Sequence, residues 1–376
     1  MRQRRLFSIA ATGFLLLSVA TVQAAETLYE EESHPRTEPT LPDETRGDME
    51  RKPDAEPAYP SYDFQGWVDT AIYYDNLDDG QNNKVGFEMA QVGLRMSHAI
   101  NENYGGFVQL NAFGPGPELG LVAREAYGYY QTDEGGFQLL AGKYYAPIGF
   151  ELADPPDLYQ FSNSLVFDNL IPTELVGALA ALQITDSLDL QLYVSGPWDD
   201  DVAALEMGGK NLGTRLGIGF GDLGGLGLSA VGGPQDPSDE GLLRIAYDVD
   251  LALTPTEELL IGAEVNMNQI HQRVANDDKE FLSPYGFLVM ANYEFTDLFN
   301  LTLRYDMLVD DEGVIFEAGD DITRSSFTFA PNFALAPGWD VFTEVRYDMA
   351  NDDIFSVDGE AASGFISGAV ELIYQF

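Results

Sequence analysis

From Tyr62 onward the chain alternates apolar and polar residues in long runs, and no other feature constrains its fold as tightly. Leu243, Ile245, Tyr247, Val249, Leu251 and Leu253 share one phase, against Arg244, Ala246, Asp248 and Asp250. Leu301, Leu303, Tyr305, Met307 and Val309 stand against Thr302, Arg304 and Asp306, and Val341, Val345, Tyr347 and Met349 against Glu344, Arg346 and Asp348. A period of two puts each set on its own face of a strand. Such runs outlast the roughly 5–6 residues usual in soluble sheets.

The connections alternate in length. Short turns fall at 101–104, 132–135, 186–187, 222–225, 255–258, 297–298 and 336–338. Between them lie longer acidic loops near 75–84, 114–119, 149–173, 199–210, 233–240, 272–282, 310–321 and 351–362. A soluble sandwich has no reason to segregate loop lengths so regularly, whereas a barrel with turns on one membrane side and loops on the other does. The expected fold class is all-β: a transmembrane antiparallel up-and-down β-barrel of about sixteen strands over residues 62–376. Fourteen or eighteen strands stay open on an order-of-strand-pair count, because the glycine-rich stretch 208–233 marks its strands weakly. Pro331, lacking an N–H, is expected to bulge or break its strand.

Lipid decides which phase faces out. An Arg or Lys toward lipid at the midplane costs ~2–4 kcal/mol, so the phase of Arg244, Arg304 and Arg346 must face the lumen. An arginine at Ala246 is by the same reasoning expected to meet water. Aromatic strand ends such as Tyr74, Phe295 and Phe376 then fall at the interfaces. Phe376 is expected to end the closing strand and to act as the assembly signal for the outer-membrane barrel machinery.

The N-terminus reads as an export signal. Arg2, Arg4 and Arg5 precede an apolar run to about Val22, and Val22-Gln23-Ala24 offers a cleavage site, so 1–24 is a signal peptide. Residues 25–61, rich in Glu, Asp and Pro, are expected to stay disordered in the periplasm. The chain has no cysteine and a formal net charge of −43, which exclude disulfides, thiolate chemistry and nucleic-acid partners.

The opening "FQGWVDTAIYYDN" carries Gly66, Val68 and Asp69, and "GKYYAPIGFELADPPDLYQFSNSLVFDNLIPTELVG" carries Gly142, Lys143, Tyr144, Gly149, Glu151, Phe161, Ser162, Ser164, Pro172 and Gly177. On these residues the chain from about Phe64 to Phe376 resembles the OmpL-like beta-barrel porins of Gram-negative outer membranes. The resemblance implies a diffusion pore. The strong acidity departs from any anion preference among related porins.

An enzyme would need a constellation that the sequence lacks. The histidines are His34, His98 and His271, none at metal-ligand or triad spacing. No enzyme activity and no cofactor are expected. Weakly bound calcium at acidic loops (Asp75 with Asp79, Asp199–Asp201, Asp277–Asp278, Asp310–Glu312) stands against the blander reading of solvated loop tips. In the lumen, Arg95, Arg215, Arg244, Arg304, Arg324 and Arg346 face Asp69, Asp189, Asp248, Asp250, Glu264, Glu294, Asp306, Glu344, Asp348 and Glu371, an acidic excess. Charged rings of this kind set ion preference, and pairs such as Arg304–Glu344 or Arg346–Asp306 across strands would hold the wall.

The longest loop, 149–173, holds Glu151, Asp154, Asp157 and Asp168 with no base, and is unusually apolar. It should pack against something. The expectation is that it folds inward, and that its acids act as exposed constriction charges. The chain then reads as an outer-membrane channel for passive diffusion of small hydrophilic solutes and ions, preferring cations, with membrane lipid around it and a homotrimer as one candidate assembly. The rival is a non-conducting structural or interaction barrel whose acidic outer loops bind divalent ions, lipid headgroups or surface partners.

Overall fold

The computed structural model describes residues 59–77, 85–113, 120–132, 136–198, 209–235, 243–273, 279–316 and 321–376. The signal peptide, nearly all of the acidic segment 25–61, and the acidic clusters Asp199–Asp201 and Asp277–Asp278 lie outside them, as does Asp79.

Sixteen antiparallel strands run β1 (Ser61–Asp75), β2 (Val85–Ala99), β3 (Tyr104–Phe113), β4 (Gly120–Gln131), β5 (Phe137–Tyr145), β6 (Glu174–Thr185), β7 (Leu188–Ser195) and β8 (Asn211–Gly219). They continue as β9 (Gly224–Pro234), β10 (Leu243–Thr256), β11 (Leu259–Arg273), β12 (Tyr285–Thr296), β13 (Phe299–Asp310), β14 (Ile322–Ala336), β15 (Trp339–Ala350) and β16 (Gly364–Gln375). Each strand pairs with its sequence neighbours, and β1 pairs with β16 from Trp67↔Gln375 to Asp75↔Ser367, which closes the barrel. Closure leaves no open edge in lipid, where an unpaired backbone group has no water to bond.

Lys279–Leu282 also pairs with β11, in the register that Tyr285 then continues (Ile270↔Leu282, Met267↔Tyr285). It is the outer extension of β12, interrupted at Ser283-Pro284, so part of the expected loop 272–282 is strand. The glycine-rich stretch does form two strands, β8 and β9, in an unbroken register from Leu212↔Gly232 to Gly219↔Gly225.

Burial alternates as the lipid argument requires. On β10, Ala246, Asp248, Asp250 and Ala252 are buried while Tyr247 and Val249 are exposed. Tyr305, Phe327, Phe329, Val345 and Tyr347 are likewise exposed on the outer wall, and Arg304 and Arg346 are buried on the inner one. Tyr74, Phe295 and Phe376 are exposed ring positions at strand ends.

One expectation is met in part and another needs correcting. Pro331 causes no register shift: Phe329↔Val345 and Asn332↔Phe342 share one register, and only the ladder at Ala330–Pro331 lapses toward β15. The Thr343 hydroxyl donates to the Pro331 carbonyl and bridges the gap. Ala246 does not face water. It is fully buried in an inner apolar cluster with Leu140, Tyr144, Ile171, Leu179, Tyr193 and Val231, so an arginine there would be overpacked and desolvated.

Candidate constriction site

Residues 146–173 connect β5 to β6 and dock against the inner wall of the barrel. Gly149 takes φ 86°, a left-handed conformation suited to glycine, and turns the chain beside Ile171 and Glu264. A 3-10 turn at Pro155–Asp157 and a short helix α1 (Leu165–Asn169) follow, and the Ser164 hydroxyl caps the helix by accepting from Phe167 N–H at 3.1 Å. Apolar side chains explain why the segment lies inside the barrel. Leu165, Val166 and Leu170 pack on Leu308, and Phe150 packs with Ala252, Leu288 and Met290.

Polar anchors reach the inner wall on both sides. Arg304 donates to Glu151 Oε1 at 2.8 Å, to Asp306 Oδ2 at 3.1 Å, to the Ser162 carbonyl at 2.6 Å and to the Asn163 carbonyl at 3.0 Å. Arg346 holds Asp348 with two nitrogens (2.8 and 3.0 Å) and donates to the Asn163 carbonyl at 2.8 Å. Loop N–H groups donate in return: Phe150 to Glu264 (2.8 Å), Ser162 to Glu344 (3.0 Å) and Leu165 to Asp306 (2.9 Å). Arg244 donates to the Asn169 carbonyl at 2.7 Å and lies over the Trp198 ring.

On β2 and β3, Arg95 pairs with Asp154 (2.8 Å) and Asp157 (2.5 Å) while lying over Trp67. Gln109, Asn111 and the Tyr145 hydroxyl also donate to Asp154. The segment therefore bonds to β2–β3 and to β10–β15, and crosses the lumen between them.

These contacts revise the charge expectations. Glu151 and Asp154 are buried ion-pair partners and not exposed constriction charges. Arg304 pairs with Glu151 and with Asp306 two residues along its own strand, and Arg346 with Asp348 in the same way. The expected cross-strand pairs Arg304–Glu344 and Arg346–Asp306 give way because the loop backbone takes Glu344 and half of Asp306. Residues i and i+2 share a face and lie close enough for a long side chain to reach. Arg215 is bound to Asp250 on β10, and Asp250 stands opposite Glu264, the acceptor of the Phe150 N–H. Glu294 sits near the short-turn end of β12.

Asp168 is the loop acid whose side chain is exposed. It meets lumen water yet is surrounded by the barrel, and burial first, then the Glu151 charge, pushes its carboxyl up to about 6. The described members of the calcium candidates serve the backbone. Asp75 accepts from Leu77 N–H, Asp310 from Ile315 and Phe316 N–H, and Asp311 from Ser283 N–H. Among the described residues no three His, Asp or Glu side chains are grouped to hold a metal. His98 stacks on Tyr62, and His271 lies tilted against Phe281.

Sequence reasoning missed Gln109, Asn111 and Trp67. Their one signal is the inward phase of β1 and β3, where neutral amides and an indole have no role in an empty channel. Gly149, Glu151, Ser162 and Ser164, which carry the family resemblance, are residues that turn, anchor and cap the loop.

The profile described as "Putative beta-barrel porin-2, OmpL-like" matches residues 61–376. No curated protein matches the chain by sequence. In structure it is similar to the outer membrane channel DcaP of Acinetobacter baumannii (TM-score 0.62, 12% identity, covering 84% of this chain and 97% of that one). It is also similar to the anion-selective porin from Comamonas acidovorans (0.60, 10%, 84% and 99%). A third likeness is to the trimer form of OmpT, an outer membrane protein of Vibrio cholerae (0.57, 13%, 84% and 99%). At these identities the likeness establishes the fold.

Proposed function

The chain belongs to the OmpL-like beta-barrel porin-2 family, and from that premise we propose that it is a passive outer-membrane channel of a Gram-negative bacterium, passing small hydrophilic solutes and ions with a preference for cations. The observation that carries this reading is the sorting of the two walls. Apolar and aromatic residues cover the outside of a closed barrel, and arginines, carboxylates and amides line the inside. Such a wall suits water and solutes, and nothing in it requires bond-making chemistry.

Inward-facing acids outnumber inward-facing bases, and the whole chain carries −43; both support the cation preference. The Comamonas porin shows that a similar barrel is compatible with the opposite sign, so preference follows from side chains and not from the fold. The OmpT trimer supports a homotrimer as the assembly. A mature chain delivered by its signal peptide to the barrel assembly machinery completes the reading.

Planar-bilayer recording tests it. Ohmic steps, with a reversal potential displaced toward the cation potential in a salt gradient, are expected. The docking of loop 146–173 across the lumen favours a second reading, a closed structural barrel, and silence in the bilayer would select it.

A further inference from the structure

On the inner face of β8 and β9 long side chains lie flat over glycines. Tyr193 covers Gly213, Asp189 covers Gly217, and the Arg215–Asp250 pair covers Gly227; a Cβ at these three glycines would stand 2.0, 2.1 and 2.2 Å from the covering atoms. Without side chains of their own these glycines give the covering groups room against the wall, and this accounts for glycines in strands that they otherwise weaken. Over β13 and β14 the loop lies tight on the wall, with Asp306, Ser326 and Ala330 fully buried. Over β7 and β8 a small recess, partly open to the lumen, lies between the wall and the loop, with Gln191 and Arg215 on the barrel side and Ile148, Glu151, Leu152, Phe167 and Ile171 among the loop residues facing them.

The two polar floor residues differ. Gln191 and Arg215 are direct partners across β7 and β8. Arg215 is engaged, donating to Asp250 at 2.5 and 2.8 Å and to Ser229 at 3.0 Å. Gln191 is 4% exposed, and its Oε1 accepts no hydrogen bond from any described residue. A buried amide oxygen left without a donor is costly, and a solute that brings one relieves the cost. The closed Arg215–Asp250 pair offers no surplus charge to a lone ion, while Phe167 and Ile171 offer an apolar face.

Resting on the pore reading, we propose that this recess is a solute subsite of the constriction for small neutral polyhydroxylated molecules, which donate a hydroxyl hydrogen to Gln191 Oε1 and lay a C–H face on the loop. Hydroxyls set around an apolar ring face match both walls, and selectivity among ions is then set elsewhere in the channel.

Because the chain has no cysteine, a single introduced thiol is a clean probe. In bilayers, Gln191→Cys is expected to lose conductance on treatment with a trimethylammonium-ethyl methanethiosulfonate reagent, and Ala330→Cys, beneath the tightly packed loop, is not. In proteoliposomes, Gln191→Leu is expected to slow glucose entry several-fold while leaving the potassium chloride conductance of each channel near wild type. Gln191→Asn restores part of the glucose rate. A conducting wild type with a Gln191→Cys variant blind to the reagent overturns the subsite and leaves the pore standing. So does a Gln191→Leu variant that admits glucose at the wild-type rate. A silent wild type overturns the pore and the subsite together.

Discussion

Glu151 is buried against Arg304, and that contact changes what a charge in this loop does. Exposed ion pairs contribute ~0–1 kcal/mol, but removing one partner of a buried pair costs ~3–5 kcal/mol because the other charge is stranded. Arg304→Met is expected to undock the loop, leaving Glu151 and Asp306 without their guanidinium. The measure is proteolysis of residues 146–173 in an otherwise folded barrel, with protection equal to wild type counting against the latch. Asp168 behaves differently. Its carboxyl is pushed up to about 6, so the folded chain holds this proton more tightly than the unfolded one. The stability this contributes is present at acid pH and is lost as pH rises through about 6, when the charge appears. Cation preference is expected to strengthen over the same interval, and Asp168→Asn to flatten that rise in reversal-potential titrations. The inward phase of Arg304 was legible in the sequence because lipid forbids the alternative. Its partner was not, since Glu151 lies 153 residues away and the path of a loop leaves no periodic trace.

At the scale of elements, the strands were legible and the loop's course was not. A strand between lipid and water has two solvents to satisfy, and the period-two pattern records both; β10 and β13 show it except at positions such as Ala246 and Leu308, where the inner face is covered by apolar side chains. β8 and β9 show it weakly because glycine replaces inward side chains, and the pairing register bears out two strands that the sequence marks only faintly. β12 was misread at its outer end, where Lys279–Leu282 was placed in the loop 272–282 although it pairs with β11 in the strand's own register. At the closing seam, Phe376 N–H donates to the Gly66 carbonyl and the Phe376 carbonyl accepts from Gly66 N–H, both at 2.9 Å. Its ring covers Gly66 and lies 5.9 Å from Tyr374. Phe376→Asp keeps the backbone pair but puts a carboxylate on the lipid side of the seam. Impaired insertion is expected, read as loss of heat-modifiable gel migration and retention in the periplasm; normal assembly would detach Phe376 from any assembly role.

For the whole molecule the question is whether ion preference comes from a few lumen side chains or from the field of the entire acidic chain. Most of the lumen arginines are already paired: Arg304 with Glu151 and Asp306, Arg346 with Asp348, Arg215 with Asp250, Arg95 with Asp154 and Asp157. A paired charge is nearly neutral a few ångströms away. The excess remains, with 62 Asp and Glu against 19 Lys and Arg, and a field summed over a surface attracts counter-ions toward the mouths of a channel. Salt separates the two sources. The Debye length is about 10 Å at 0.1 M and about 3 Å at 1 M, so a diffuse field is screened across that range, while a charge touching the permeating ion is screened far less. Reversal potentials measured at a fixed concentration ratio are therefore expected to show cation preference at low mean salt and to lose most of it near 1 M. A preference that persists at 1 M would return selectivity to Asp168 and the wall carboxylates beside the loop. Anion preference at low salt would mean that the wall arginines govern permeation despite the acidic excess, as similar barrels permit.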